Sequence, residues 1–315
     1  MEYGFLGGTG IRVSRLCFGS LTVGPLQAGL PVREGAGIIR HALDAGVNFI
    51  DTARLYNNYE YIREAVAGRS GNVVIATKSY DYTREDMRQS LEEVLKELDR
   101  DYIDIFLLHE QESDLTIRGH WGAVEELIRA RREGTVRALG VSTHSVRGVR
   151  AAASIPEFDI IHPLINIKGI GIKDGTVEEM REAIDSAFKA GKGLYGMKAL
   201  GGGNLINERK EALCFALSLP GLTSVAVGMQ SLAEVDYNIA VFEGREVDPA
   251  LEQAVTRQNR KLHIEDWCTA CGRCLERCGA GALSMEGGRA VADSTLCRLC
   301  GYCSAACEDM CIKII

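Results

Sequence analysis

The stretch that decides the fold runs from Val73 to His109: Val73-Val74-Ile75-Ala76-Thr77-Lys78, then Thr83–Asp99 (TREDMRQSLEEVLKELD), then Asp101-Tyr102-Ile103-Asp104-Ile105-Phe106-Leu107-Leu108-His109. The outer two pieces are short and almost continuously apolar, as strands are when both faces are buried. The middle piece has a helical period. It opens on Thr83, a good N-cap, with Asp86 three residues on. Strand, helix, strand in this order reads as one unit of a parallel sheet covered by helices.

The same alternation extends in both directions. Candidate strands are 15–20, 48–53, 73–78, 103–109, 136–143, 159–166, 193–200 and 223–229, each followed by a segment of helical period. Gly46, Gly134 and Gly191 end helices before the next strand. Eight such units in roughly 230 residues match an α/β fold of the (β/α)8 TIM-barrel type, which takes about 250. A doubly wound open sheet is the alternative. It expects G-x-G-x-x-G after the first strand, whereas Gly7-Gly8-Thr9-Gly10 precedes any strong strand and reads as the turn of an N-terminal hairpin. The segment Glu110–Trp121 reads as a long loop shaping a pocket.

Beyond the barrel, Glu243–Glu265 is polar and reads as a linker with one helix. The expected domains are a barrel over 1–243, a helical linker over 244–265 and a compact cysteine-rich module over 266–315. A hydrophobic content of 46% and charged content of 25% are ordinary for globular chains. The net charge of -7 argues against nucleic acid as a partner, because phosphate binding needs a basic face. No stretch approaches the roughly 20 apolar residues of a membrane span, and the opening residues lack signal-peptide character. A cytoplasmic location without membrane partners is the expectation.

Of eleven cysteines, only Cys17 and Cys214 precede residue 268. Both sit in apolar surroundings and are expected to fill core. The others cluster as Cys268-x-x-Cys271-x-x-Cys274-x-x-x-Cys278 and Cys297-x-x-Cys300-x-x-Cys303-x-x-x-Cys307, with Cys311 surplus. Clustered thiols in such a chain read as metal ligands. The spacing resembles that of the bacterial two-cluster ferredoxins across the whole module, in which three cysteines of a run hold one 4Fe–4S cluster and the fourth holds the other. The resemblance implies a small ferredoxin-like α+β iron–sulfur domain. Its ligands would be Cys268, Cys271, Cys274 and Cys307 for one cluster, and Cys297, Cys300, Cys303 and Cys278 for the second. Gly279 and Glu308 stand where that pattern usually has proline. Structural zinc is the alternative, but it leaves the repeated fourth cysteine without a purpose.

The second strand and its loop read Gly46-Val47-Asn48-Phe49-Ile50-Asp51-Thr52-Ala53-Arg54-Leu55-Tyr56. Together with Ile75–Lys78 and Asp101–His109, this resembles the aldo-keto reductases over about residues 1–243. Independently of that, Asp51, Lys78 and His109 each end a candidate strand and Tyr56 follows one. The C-terminal ends of strands are where barrel enzymes build active sites. A carbonyl accepting a hydride needs a proton donor. Lys78 beside Tyr56 would lower the tyrosine pKa from about 10, and Asp51 would keep the lysine charged. The resemblance implies these catalytic roles, with His109 orienting the substrate carbonyl or sharing the proton.

Positions that would hold the nicotinamide depart from the family pattern. Ser142 is followed by Thr143-His144 rather than asparagine. His162 replaces a glutamine, and Met197 replaces the tyrosine on which the ring stacks. Gly228-Met229-Gln230-Ser231 lacks the usual base for a 2′-phosphate, while Glu234 and Asn238 match the adenosine end. Gln230 brings no charge to a phosphate dianion. NADP and NAD both remain compatible. The chain resembles a ferredoxin-fused branch of the family.

Clusters move single electrons and nicotinamide moves a hydride, so direct coupling needs a converter such as a flavin. Three arrangements are compatible with this chain. NAD(P)H reduces a small carbonyl substrate, with the clusters linked to a ferredoxin or flavoprotein partner. Alternatively, the clusters feed the reaction without nicotinamide, or the chain carries electrons and the barrel is a docking scaffold.

Overall fold

The computed structural model describes residues 1–69, 73–256 and 260–315. Strands β1 (Tyr3–Phe5) and β2 (Arg12–Ser14) form an antiparallel hairpin around the Gly7–Gly10 turn, as expected. Eight parallel strands follow: β3 (Leu16–Gly19), β4 (Phe49–Asp51), β5 (Val74–Ser79), β6 (Ile103–Leu108), β7 (Val136–Thr143), β8 (Ile160–Pro163), β9 (Gly193–Gly196) and β10 (Ser224–Gly228). They close in sequence order, with β10 pairing β3. The open-sheet alternative falls.

Alternation along each strand sorts the apolar residues into two cores. One set fills the barrel interior: Cys17, Phe49, Val74, Ala76, Ile105, Leu107, Ala138, Ile160 and Tyr195. The hairpin's Leu6, Ile11 and Val13 join it and plug the N-terminal end. The other set, including Leu16, Phe18, Ile50, Ile75, Phe106, Leu139 and Ile161, faces the helices. Burying each such side chain stabilises the fold by about 1.5–3 kcal/mol. Thr83 caps its helix (Arg84–Leu98) by accepting from Asp86 N, and Gly134 takes the left-handed conformation (φ 82°) that ends the helix Trp121–Glu133.

Three expectations need correcting. The strands expected over 159–166 and 193–200 stop at Pro163 and Gly196, because the chain leaves the extended region near Lys198 (φ 60°) and Gly201 (φ 56°). The Glu110–Trp121 segment contains a helix, Asp114–Gly119, built on a capping box in which Ser113 and Thr116 satisfy each other's backbone N–H. Cys17 is core, but Cys214 lies on the solvent face of the helix Arg209–Leu217 and is exposed.

The segment read as linker carries the helix Pro249–Thr256 and also strand β11 (Leu262–Ile264); its residues 257–259 lie outside the described residues. Strand β11 pairs antiparallel with β14 (Ile312–Ile314), and β12 (Leu283–Glu286) with β13 (Arg289–Ala292). The two cysteine runs repeat one another position by position. Ala270 and Leu299 are left-handed (φ 56° and 50°), as are Gly272 and Gly301 (φ 79° each) and Gly281 and Met310 (φ 61° and 48°). This module docks on the C-terminal end of the barrel. Met310 is buried with Leu164 and Met197, and a Cβ at Gly301 would lie 2.9 Å from Asn204 Oδ1. Among the described residues, no helix is long and apolar enough to cross a membrane.

Candidate active site

Strand alternation also selects the residues at the barrel mouth. Phe49, Ala76, Leu107 and Ile160 point inward, so the residues two further on do the same. Those residues are Asp51, Lys78, His109 and His162, all at least nine-tenths buried. By the same parity Tyr195 points inward, with Met197 two positions beyond.

Asp51 is the centre of the group. Lys78 Nζ donates to Asp51 Oδ2 at 2.7 Å and to the Thr52 carbonyl at 2.7 Å. Tyr195 Oη donates to Asp51 Oδ1 at 2.9 Å. Burial pushes the Asp51 carboxyl up, but Lys78, His162 and these hydrogen bonds outweigh it and hold the pKa below the ordinary range. The His162 ring stacks on Tyr195 with centroids 3.8 Å apart, and its Nδ1 donates to the Tyr195 carbonyl at 2.6 Å. That bond leaves Nε2 as an acceptor, 3.6 Å from Asp51 Oδ1. Burial and Lys78 outweigh Asp51 and bring His162 down to about 4, so it is neutral.

Tyr56 sits in the turn after β4. Asn58 anchors that turn by accepting from Thr52 Oγ1 at 2.7 Å and donating to the Ser20 carbonyl at 2.8 Å. The Lys78 ammonium lies 4.9 Å from the Tyr56 ring centroid. His109 meets the Tyr56 ring edge-on at 6.0 Å and stacks on Tyr80 at 4.3 Å. Burial and then Lys78 push His109 down to about 3, and its Nδ1 has no hydrogen-bond partner among the described residues. The expected acidification of Tyr56 by Lys78 does not hold. Burial, then the negative charges of Asp51 and Glu110, push the phenol well above 10. Asp51, which accepts from Lys78 at 2.7 Å, offsets much of the lysine's charge at the phenol.

A groove runs across the mouth from this cluster. Asp51, Tyr56, His162 and Met197 line one part, and Gly228, Gln230, Glu234 and Asn238 line another. Six of the eight positions assigned to nicotinamide binding thus lie on one groove. The other two have structural partners: Ser142 Oγ accepts from Glu110 N at 2.9 Å, and Ser231 caps the helix Leu232–Phe242 by accepting from Glu234 N. The positive charge missing from the Gly228–Ser231 loop arrives from elsewhere, since Arg209 and Arg260 also line the groove and Arg260 pairs with Glu234.

In the C-terminal module, Cys268, Cys271, Cys274 and Cys307 line one small cavity, with Cys311 also on its wall. Among the described residues, no three His, Cys, Asp or Glu side chains converge on a point that could hold a single metal ion. A cubane cluster asks instead for thiolates spread around a cavity, as Cys268, Cys271, Cys274 and Cys307 are. Cys303 feels the charges of Cys297 and Cys278. In each half, the fourth cysteine's sulfur accepts a backbone hydrogen bond: Ala282 N to Cys278 Sγ at 3.2 Å, and Cys311 N to Cys307 Sγ at 3.3 Å. Cys300 and Cys271 are exposed.

Sequence reading passed over Tyr195, Tyr80 and Asn58. Tyr195 was within reach, because inward parity counted back from Met197 selects it. Tyr80 and Asn58 lie in turns, where no periodicity reports direction.

Residues 15–213 match the Aldo/keto reductase family, so the match stops short of the cysteine module. The chain is 30% identical over 183 residues to the aldo-keto reductase YhdN of Bacillus subtilis. That stretch is 53% of this chain and 54% of YhdN, about half the length of each. It is 23% identical over 289 residues to L-galactose dehydrogenase of Arabidopsis thaliana, covering 76% of this chain and 88% of that one. The fold also resembles that of PA4992 from Pseudomonas aeruginosa, assigned to the aldo-keto reductases. The TM-score is 0.67, with 27% identity over 76% of this chain and 93% of that one.

Proposed function

The chain belongs to the aldo/keto reductase family, and from that premise we propose that it reduces a small carbonyl compound with NADPH or NADH, in a protein that also carries two 4Fe–4S clusters. The observation that carries the catalytic half is the convergence of Tyr56, Lys78 and Asp51 at one end of the groove.

Bound nicotinamide would supply a hydride to the carbonyl carbon. The residues of this chain would supply the rest. Tyr56, protonated at neutral pH because burial raises its pKa, gives its phenolic proton to the carbonyl oxygen. The Lys78 ammonium, paired with Asp51 and 4.9 Å from the Tyr56 ring centroid, stabilises the phenolate left behind. His162, Met197, Gln230, Glu234 and Asn238 would seat the nucleotide along the groove, with Arg209 and Arg260 supplying the positive charge for a phosphate. Anaerobic titration with NADH and NADPH tests binding. Aldehyde-dependent oxidation of the bound nucleotide, lost in Tyr56→Phe, tests the chemistry. If neither nucleotide binds, the nicotinamide reading fails.

The cluster reading rests on the two cysteine runs and their crossed fourth members. Cys268, Cys271, Cys274 and Cys307 would hold one cluster, and Cys297, Cys300, Cys303 and Cys278 the other. When bound, the clusters supply one-electron transfer. Support for coupling to the barrel comes from Gly203, where a Cβ would run into the Ile314 carbonyl oxygen, so the module's last strand forms part of the groove wall. Exchange between hydride and single electrons would need a flavin, here or on a flavoprotein or ferredoxin partner. Metal analysis returning about eight irons per chain, with the paramagnetic spectrum of reduced clusters, is the expected result; zinc in their place would end it.

A further inference from the structure

The charges along the groove do not balance. Among the described residues, four cationic side chains line it: Lys198, Arg209, Arg260 and Lys313. Lys313 pairs with Glu265 and Arg260 with Glu234. Arg209 donates from Nε to the Ile206 carbonyl at 2.9 Å and lies over the Tyr237 ring. Arg209 forms no ion pair among the described residues and its Nη1 has no hydrogen-bond partner there, but it sits with Glu234 and Arg260 rather than beside Tyr56. Lys198 makes no contact of these kinds. Among the described residues, its ammonium has neither an ion-pair partner nor a hydrogen-bond acceptor.

Its backbone makes the placement unusual. Lys198 follows Met197 where the chain leaves β9, and it sits in the left-handed region at φ 60°, which an L side chain rarely adopts. This strained turn leaves the side chain on the groove wall beside Asp51, Tyr56, His162 and Met197. Burial and then Lys313 bring its pKa down to about 7, with Glu110 and Glu265 pulling the other way and Lys78 adding to the depression. Lys198 in turn helps lower Glu110 and His144. Glu110 directly follows His109, so the ammonium faces the proton-donor end of the groove. The charges that act on it most do not include Glu234, at the other end.

A part-buried ammonium on a groove wall, with no ion-pair partner among the described residues, is open to an anionic group that completes the site. We infer that Lys198 anchors an anionic oxygen group, a carboxylate or a phosphate monoester, on the carbonyl substrate beside Tyr56. This rests on the carbonyl-reduction reading above and narrows it: the substrates are oxo acids or phosphorylated aldehydes rather than uncharged ones.

Matched pairs of aldehydes test this on the cluster-loaded chain: succinate semialdehyde against butanal, and glyceraldehyde 3-phosphate against glyceraldehyde. The wild type is expected to show a lower KM for the charged member of at least one pair, and that pair identifies the group. Lys198→Gln should raise this KM about 10- to 100-fold, the range of hydrogen bonds to charged groups. The kcat and the KM of the uncharged partner should stay within twofold, and Lys198→Arg should restore the preference. In the wild type the charged-substrate KM should rise as pH rises through neutrality, because the ammonium form holds the anion; with arginine the rise should flatten. A KM change shared by both members of a pair, or no change in either, overturns the inference. So does a Lys198→Gln effect confined to the Kd of NADH or NADPH, since the anion would then be the nucleotide's own phosphate. If no aldehyde is reduced, calorimetry with succinate and inorganic phosphate still decides. Binding that Lys198→Gln abolishes supports the anchor while the carbonyl-reduction reading fails, and absence of binding to the wild type sinks the anchor too.

Discussion

Tyr195 Oη donates to Asp51 Oδ1 at 2.9 Å while Lys78 Nζ holds the other oxygen at 2.7 Å. A residue from the seventh barrel strand thus fixes the carboxylate that pairs with the lysine. Tyr195→Phe should destabilise the protein by about 1.5–3 kcal/mol, the cost of a hydrogen bond to a charged group. Asp51→Asn should cost more, about 3–5 kcal/mol, because it strands the buried ammonium. Denaturant unfolding of both variants checks the order, and equal losses would contradict it.

Tyr56→Phe should lower aldehyde reduction by about 10²- to 10⁴-fold, the usual worth of a positioned acid. Its hydroxyl has no hydrogen-bond partner among the described residues, so stability should change by about 0.5 kcal/mol or less. Rates and thermal unfolding measured on one preparation separate the two effects.

Three buried histidines make the fold acid-sensitive. His109 is held at about 3, and His144 and His162 at about 4, against an ordinary 6.5. Burial is the first cause in each. The unfolded chain takes up these protons at 6.5 while the folded chain resists, so the stabilisation is complete above pH 6.5 and lost as pH falls towards 4. Each histidine adds up to about 1.4 kcal/mol per pH unit to the slope. Urea unfolding between pH 7 and 5 should show a steep fall that His162→Gln makes shallower by about that amount.

Gly203 has φ 90°, and a Cβ there would run into the Ile314 carbonyl. Gly203→Ala is therefore expected to lift β14 off the groove and destabilise docking by about 1–3 kcal/mol. Amide exchange at Ile312–Ile315 reads the change directly. Protection equal to the wild type would show that the contact does not hold the strand.

Removing iron with a chelator under anaerobic conditions should melt residues 266–315 and leave the barrel folded, because the module's small core is built largely around its cysteines. Calorimetry should then lose one transition and keep the other. An unchanged trace would count against the clusters.

The eight-strand count, the hairpin and the inward aim of Asp51, Lys78 and His109 were legible along the chain, since strand period two and helix punctuation are local properties. The two cysteine runs were legible for the same reason, their spacing being set by a few bonds of backbone. The Ser113 capping box was equally local and was passed over. Three features needed the closed barrel: Tyr195 crossing to Asp51, Arg209 and Arg260 reaching a groove whose own loop lacks a base, and Lys198 on the groove wall without an ion-pair partner among the described residues. Each depends on which strands become neighbours across the mouth and on how far burial removes charges from water. The acidity of Tyr56 shows the difference most clearly. Sequence placed a lysine near it, but the balance between that lysine, Asp51, Glu110 and the loss of solvent is set only where the folded chain brings them together.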